Sequence, residues 1–139
     1  MQTSYEEIYE LFLSKISDFE MASLEDDEIL EYCSKFLQSA LANIRSFDND
    51  LTQRDEEEFL VELTDIEKEV ITSQMVVEWI NSKLNTATLL TLFVGTKDEN
   101  MASQANFINS LSELRDKQRA IVNRLIRGYP YDKYVRDGE

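Results

Sequence analysis

Only three glycines and one proline stand among the 139 residues of this chain. Tight hairpin turns draw on glycine for positive φ and on proline for a preset φ. A chain this poor in both cannot supply the many turns of a β-sandwich or barrel. Helices need neither, and apolar residues recur along the chain at spacings of three and four. The reading is therefore all-α: a single helical bundle of about four main helices. At 42% apolar and 30% charged residues it is rich enough in core formers to fold rather than stay disordered.

The segment 4–16 carries Tyr5, Ile8, Tyr9, Phe12, Leu13 and Ile16 on one stripe. Ser4 with Glu7 makes a capping-box pattern, in which hydroxyl and carboxylate satisfy amides that a first helical turn leaves free. A second helix is expected from about Asp26 to Arg45, on a stripe of Ile29, Leu30, Cys33, Phe36, Leu37, Ala40, Leu41 and Ile44. Residues 46–58 are polar, and Phe59, Leu60 and Leu63 are expected to form a short helical turn tucked onto the core. Thr64 with Glu67 is a second capping box, opening a helix to about Leu84. Ile66, Val70, Ile71, Met75, Trp79 and Ile80 face inward there. Val76 and Val77 broaden that stripe, as suits a central helix. Residues 85–93 read as one or two helical turns and 95–100 as a loop. The last helix is expected over Ser103–Arg127, with Phe107, Ile108, Leu111, Leu114, Ile121, Val122 and Leu125 inward. Gly128 stands where a left-handed C-cap belongs, so the bundle domain is taken as 1–127 and residues 128–139 as an extended C-terminal docking tail.

Charge is distributed unevenly. Residues 1–72 hold 20 acids and 5 bases, net −15, whereas residues 73–139 hold 8 acids and 9 bases, net +1. Between Arg115 and Arg136 there are 7 bases against Asp116 and Asp132, net +5. An overall charge of −14 repels phosphate backbones and anionic lipid surfaces, so neither nucleic acid nor membrane is expected as a directly gripped ligand. The start of the chain has no basic flank before an apolar run and is not expected to be a secretory leader. Cys33 is the only cysteine, which rules out an internal disulfide and fits a reducing cytoplasm.

There is no histidine. That removes Ser-His and Cys-His nucleophilic pairs, His-based zinc sites and the Glu-x-x-His sets of di-iron bundles. No glycine-rich phosphate loop occurs. Asp48-x-Asp50 resembles the start of a calcium loop, but Gln53 and Phe59 stand where such a loop needs glycine and a bidentate glutamate. Asp55 to Glu58 reads as a solvated acidic face. No enzyme, cofactor or metal site is expected. Trp79 reads as core rather than as an interface anchor, and Cys33 as a small buried hydrophobe. For Arg115, Lys117 and Arg119, keeping the last helix soluble is the preferred role. Arg124 and Arg127 are open to partner contact or to complementing the helix C-terminus. In the tail, Tyr129, Tyr131 and Tyr134 interleave with Lys133 and Arg136. On an extended strand, alternate residues share a face and could fill a partner's pockets. Folding back onto the bundle is the other reading of the same residues.

The run Thr96-Lys97-Asp98-Glu99-Asn100-Met101-Ala102-Ser103-Gln104-Ala105-Asn106-Phe107, followed by Leu111, Leu114 and Tyr129-Pro130-Tyr131, resembles the small helical head–tail connector (adaptor) proteins of tailed phages infecting Gram-positive bacteria. In that family a loop ending in Ser-x-Ala-Asn opens the last long helix, which closes on a short Tyr-x-Tyr segment. Met75-Val76-Val77-Glu78-Trp79 adds to the likeness, which covers roughly residues 64–134. The acidic run 48–58 has no counterpart in it. The resemblance implies a structural virion protein of the neck, made in the host cytoplasm. It implies a homo-oligomeric ring, commonly dodecameric, that lies below the portal and prolongs its channel. A head-closure, stopper or tail protein would sit at the other end, and DNA would pass through without specific binding. The C-terminal segment would dock on the portal protein, a role that falls here to Arg124, Arg127, Tyr129, Pro130, Tyr131, Lys133, Tyr134 and Arg136. Two other readings stay open: an acidic soluble inhibitor that mimics DNA, and a phage assembly helper.

Overall fold

The computed structural model describes residues 2–16, 25–44, 54–94 and 98–137, with the side chains of 88–94, 98–104 and 129–137 excepted. Among these residues four helices follow one another: α1 (Tyr5–Lys15), α2 (Asp26–Asn43), α3 (Asp65–Val94) and α4 (Asp98–Asp137). The all-α reading holds. Added to it among the described residues are a two-residue antiparallel pair, β1 (Thr3–Ser4) with β2 (Glu58–Phe59), in which Thr3 faces Phe59 and Ser4 faces Glu58, and an antiparallel bridge between Arg54 and Phe59.

Both capping boxes position helix starts, in different ways. Ser4 Oγ accepts from the Glu7 N–H at 3.3 Å, but the Glu7 carboxylate turns away to accept from Lys68 Nζ of α3 at 2.7 Å. That ion pair holds the Lys68 ammonium above its usual pKa. Before α3 the box is reciprocal: Thr64 Oγ1 accepts from Glu67 N–H at 3.2 Å, and Glu67 Oε1 accepts from Thr64 N–H at 2.9 Å. Each such cap stabilises a helix by about 1 kcal/mol.

α3 is the central helix, with α1, α2 and α4 all packed on it. Its breadth is used: Val70, Ile71, Met75, Val77 and Ile80 are fully buried and Val76 nearly so. Ile8 and Phe12 of α1 and Cys33, Leu37 and Ala40 of α2 complete the core. Phe12 and Phe36 join α1 to α2 with ring centroids 5.9 Å apart. At the α2–α3 seam, Glu78 Oε1 accepts from Asn43 Nδ2 at 2.8 Å and from Gln74 Nε2 at 3.0 Å. Lys15 of α1 pairs with Glu69 of α3.

Several expectations need correction. Phe59, Leu60 and Leu63 do not form a helical turn. Phe59 lies on β2, fully buried and edge-on to Tyr5 at 5.1 Å, while Leu60 points outward and is 45% exposed. Strand alternation separates neighbours that a helical turn would have kept together. The Thr3 hydroxyl fixes this arrangement by accepting from the buried Leu63 N–H at 3.0 Å. α3 does not stop at Leu84 but runs through the expected short turns to Val94, and Asp98–Asn100 belong to α4 rather than to a loop. Residues 95–97 and Arg45 lie outside the described residues, as do 46–53. Leu30 of α2 and Phe107 and Leu114 of α4, all expected inward, are 49%, 56% and 46% exposed.

The largest correction concerns the C-terminus. Residues 128–137 are not extended; α4 continues through them to Asp137. Gly128 is helical rather than left-handed, and a Cβ built there would meet nothing within 4 Å. Neither positive φ nor close approach requires glycine at that position. Pro130 withholds one N–H from the carbonyl four residues back, which weakens or kinks a helix without obliging it to end.

Candidate partner-docking surface

α3 and α4 are successive in sequence and pack along each other. Gln118 Nε2 donates to the Ser73 carbonyl at 3.5 Å, which marks one level of that pairing. Counting residue for residue from there along two antiparallel helices, Asp65 at the start of α3 lies level with Ile126. The ten residues Gly128–Asp137 therefore run on past the start of α3. At ~1.5 Å per residue this is an overhang of about 15 Å. The segment expected to dock thus leaves the bundle as a helix, not as a strand.

That change alters which positions act together. On an extended strand, 129 and 131 share one face. On a helix it is positions 127, 131 and 134 that share one, at spacings of four and three. Of the predicted docking residues, the structure describes the side chains of two. Arg124 and Arg127 are both exposed, and Arg127 Nε donates to the Asn123 carbonyl at 3.3 Å. The backbones of Tyr129, Pro130, Tyr131, Lys133, Tyr134 and Arg136 belong to α4; their side chains lie outside the described residues. Earlier along α4, Arg115 is half-buried and its Nε lies 3.3 Å from Asp116 Oδ1, while Lys117 and Arg119 are exposed.

Along the same helix is a surface that sequence reasoning missed. Phe107 and Leu114, seven residues apart, lie on one flank of α4 and stand in solvent, while Ile108, Leu111, Val122 and Leu125 meet the core. The signal was present: Phe107 and Ile108 are ~100° apart around a helix, so one neighbouring helix cannot fully cover both. Phe107 edges a cleft of about 670 Å³ between α2, α3 and α4, bordered by Tyr32, Phe36, Glu78 and Lys83. Trp79 is half-buried against the core, and Lys83 Nζ lies over its ring at 5.9 Å. This is the packing role read from its spacing.

The acidic run before β2 serves the local backbone. Asp55 Oδ1 accepts from the N–H groups of Glu57 and Glu58 at 2.8 and 2.9 Å, which lowers its pKa. Its carbonyl accepts from the Tyr5 hydroxyl at 2.7 Å. Cys33 is fully buried, and burial pushes its thiol up to about 11, as suits a packed hydrophobe rather than a nucleophile. Among the described residues no group of three or more His, Cys, Asp or Glu is placed to hold a metal ion. Nor is any helix there long and apolar enough to cross a membrane.

The fold thus defines an all-α protein built around one central helix, with an overhanging, partly apolar last helix. Compared with known protein families, curated proteins and solved structures, the chain matches none.

Proposed function

We propose that this chain is a non-catalytic structural subunit, a head–tail connector of a tailed phage. In this reading copies form a ring below the portal that prolongs the DNA channel toward a stopper or tail protein. The C-terminal end of α4, from Arg124 to Arg136, docks on the portal. The observation that carries the reading is α4 itself. Its 40 residues exceed what the 30-residue α3 can flank, and it presents Phe107, Leu114, Arg124 and Arg127 to solvent. Exposed apolar groups on a long helix with a basic end are what a helical assembly subunit needs to bind other proteins. The resemblance over residues 64–134 supplies the particular assembly. A net-negative body would also let DNA slide by without sticking.

The test is co-sedimentation with DNA-filled, tailless capsids of the phage that carries the chain, comparing the full chain with one ending at Arg127. That truncation retains Val122, Leu125 and Ile126, so the bundle keeps its packing. Saturable binding at a fixed number per capsid, lost on truncation, is expected. Failure of both forms to bind sinks the portal-docking reading. It would move an acidic inhibitor ahead, a reading favoured by the exposed carboxylates of Glu25, Asp26, Asp27, Glu28 and Glu31 around the start of α2.

A further inference from the structure

Two of the exposed apolar patches have surroundings of opposite sign. On α4, Phe107 and Leu114 share one flank, and the exposed Lys117 and Arg124, seven residues apart, share the adjoining one, about 60–80° round the helix from Leu114, with the exposed Glu113 one turn before Lys117 as the acid among them. On α2, Leu30 is 49% exposed. It lies one turn from Asp26 and Asp27 and beside Glu31, all of them exposed. The first is an apolar pair with a net basic margin, the second a single apolar side chain with an acidic margin.

We propose that these two surfaces bind each other between copies of this chain, the α4 flank of one copy seating on the start of α2 of the next. The occupant is a second copy because this single chain carries both complementary surfaces. Charge fixes the mode. Pairing α4 with α4 would set bases against bases, and pairing α2 with α2 would set acids against acids, each costing association free energy. Only the head-to-tail pairing joins opposite signs around an apolar centre, the arrangement typical of protein interfaces. A head-to-tail contact leaves one free surface of each kind on every copy. It therefore propagates, and it closes into a ring if the rotation per copy allows. The inference deepens the connector reading and rests on it for the ring, while the pairing of the two faces has its own test.

Two charge-reversed chains provide that test, Lys117→Glu with Arg124→Glu on α4, and Asp27→Lys with Glu31→Lys on α2. All four positions are exposed, so both chains are expected to keep the wild-type helical signal. Analytical ultracentrifugation at low ionic strength should show the wild type associating, each reversed chain alone as a monomer, and their equimolar mixture associating again. In the mixture every contact joins opposite signs once more. Wild-type association should also weaken with salt, since the screening length falls to ~3 Å at ~1 M. A wild type that stays monomeric, or association that survives either reversal, overturns the pairing. The capsid assay keeps the two ideas apart: wild-type chain that saturates capsids while the reversals change nothing leaves the connector reading standing and removes only the faces assigned here.

Discussion

Replacing Phe59 by alanine, beside Leu60→Ala as its neighbour control, tests the strand pairing that stands where a helical turn was expected. Phe59 is fully buried on β2 and packs edge-on to Tyr5 at 5.1 Å. Truncating a buried phenylalanine costs about 3–5 kcal/mol. Of that, about 0.5–1.5 kcal/mol belongs to the ring–ring contact. Unfolding entropy near ~2.1 cal/mol/K per residue gives about 0.3 kcal/mol/K for a chain of 139 residues. The melting temperature should then fall by about 10–17 °C. Leu60 is already 45% exposed, so its truncation should cost about 1 kcal/mol or less, a fall of about 3 °C. Thermal melts followed by far-UV circular dichroism measure both, with a single cooperative transition as the condition for comparing them. Equal losses for the two variants would refute the reasoning. They would mean that both side chains share one buried face, as on a helical turn, and that β1 and β2 do not pair as described.

Two further predictions concern titratable groups. The Cys33 thiol, raised by burial from 9.0 to about 11, should alkylate at about pH 8 at least ~100-fold more slowly in the native chain than in urea; equal rates would show the thiol to be accessible. Because its folded pKa lies above the unfolded one, its contribution to stability is full below pH 9.0 and is lost as pH rises toward about 11. Asp55 behaves in the opposite sense. Its carboxylate is held below 3.8 by the Glu57 and Glu58 N–H groups, so what it contributes is present above that pH and is lost as pH falls through its lower folded value. An NMR titration of the Asp55 carboxyl should give a midpoint under 3.8, and a midpoint at or above it would mean that the turn is not closed by this side chain.

Much of this protein is legible from spacing alone. The stripe of α1 and, Leu30 apart, that of α2, the Ser4 and Thr64 caps and the central role of α3 follow from local rules, because a helix repeats every 3.6 residues and a cap is set by its near neighbours. The buried state of Cys33 follows in the same way, from its place on a stripe. Where the tertiary structure decided otherwise, the cause was non-local. Phe59 is a strand residue because residues 3–4, more than fifty positions away, offer it backbone partners and Thr3 ties down Leu63. Phe107 and Leu114 stand exposed although Leu125, five full turns from Phe107 and on the same side of α4, meets the core; which levels of a helix face are covered is set by the elements packed there, not by the face's periodicity. At the C-terminus, Gly128 and Pro130 are residues that commonly end helices, yet α4 runs through both to Asp137. Both residues set a local cost for continuing a helix without obliging it to stop, so neither by itself marks the end of α4.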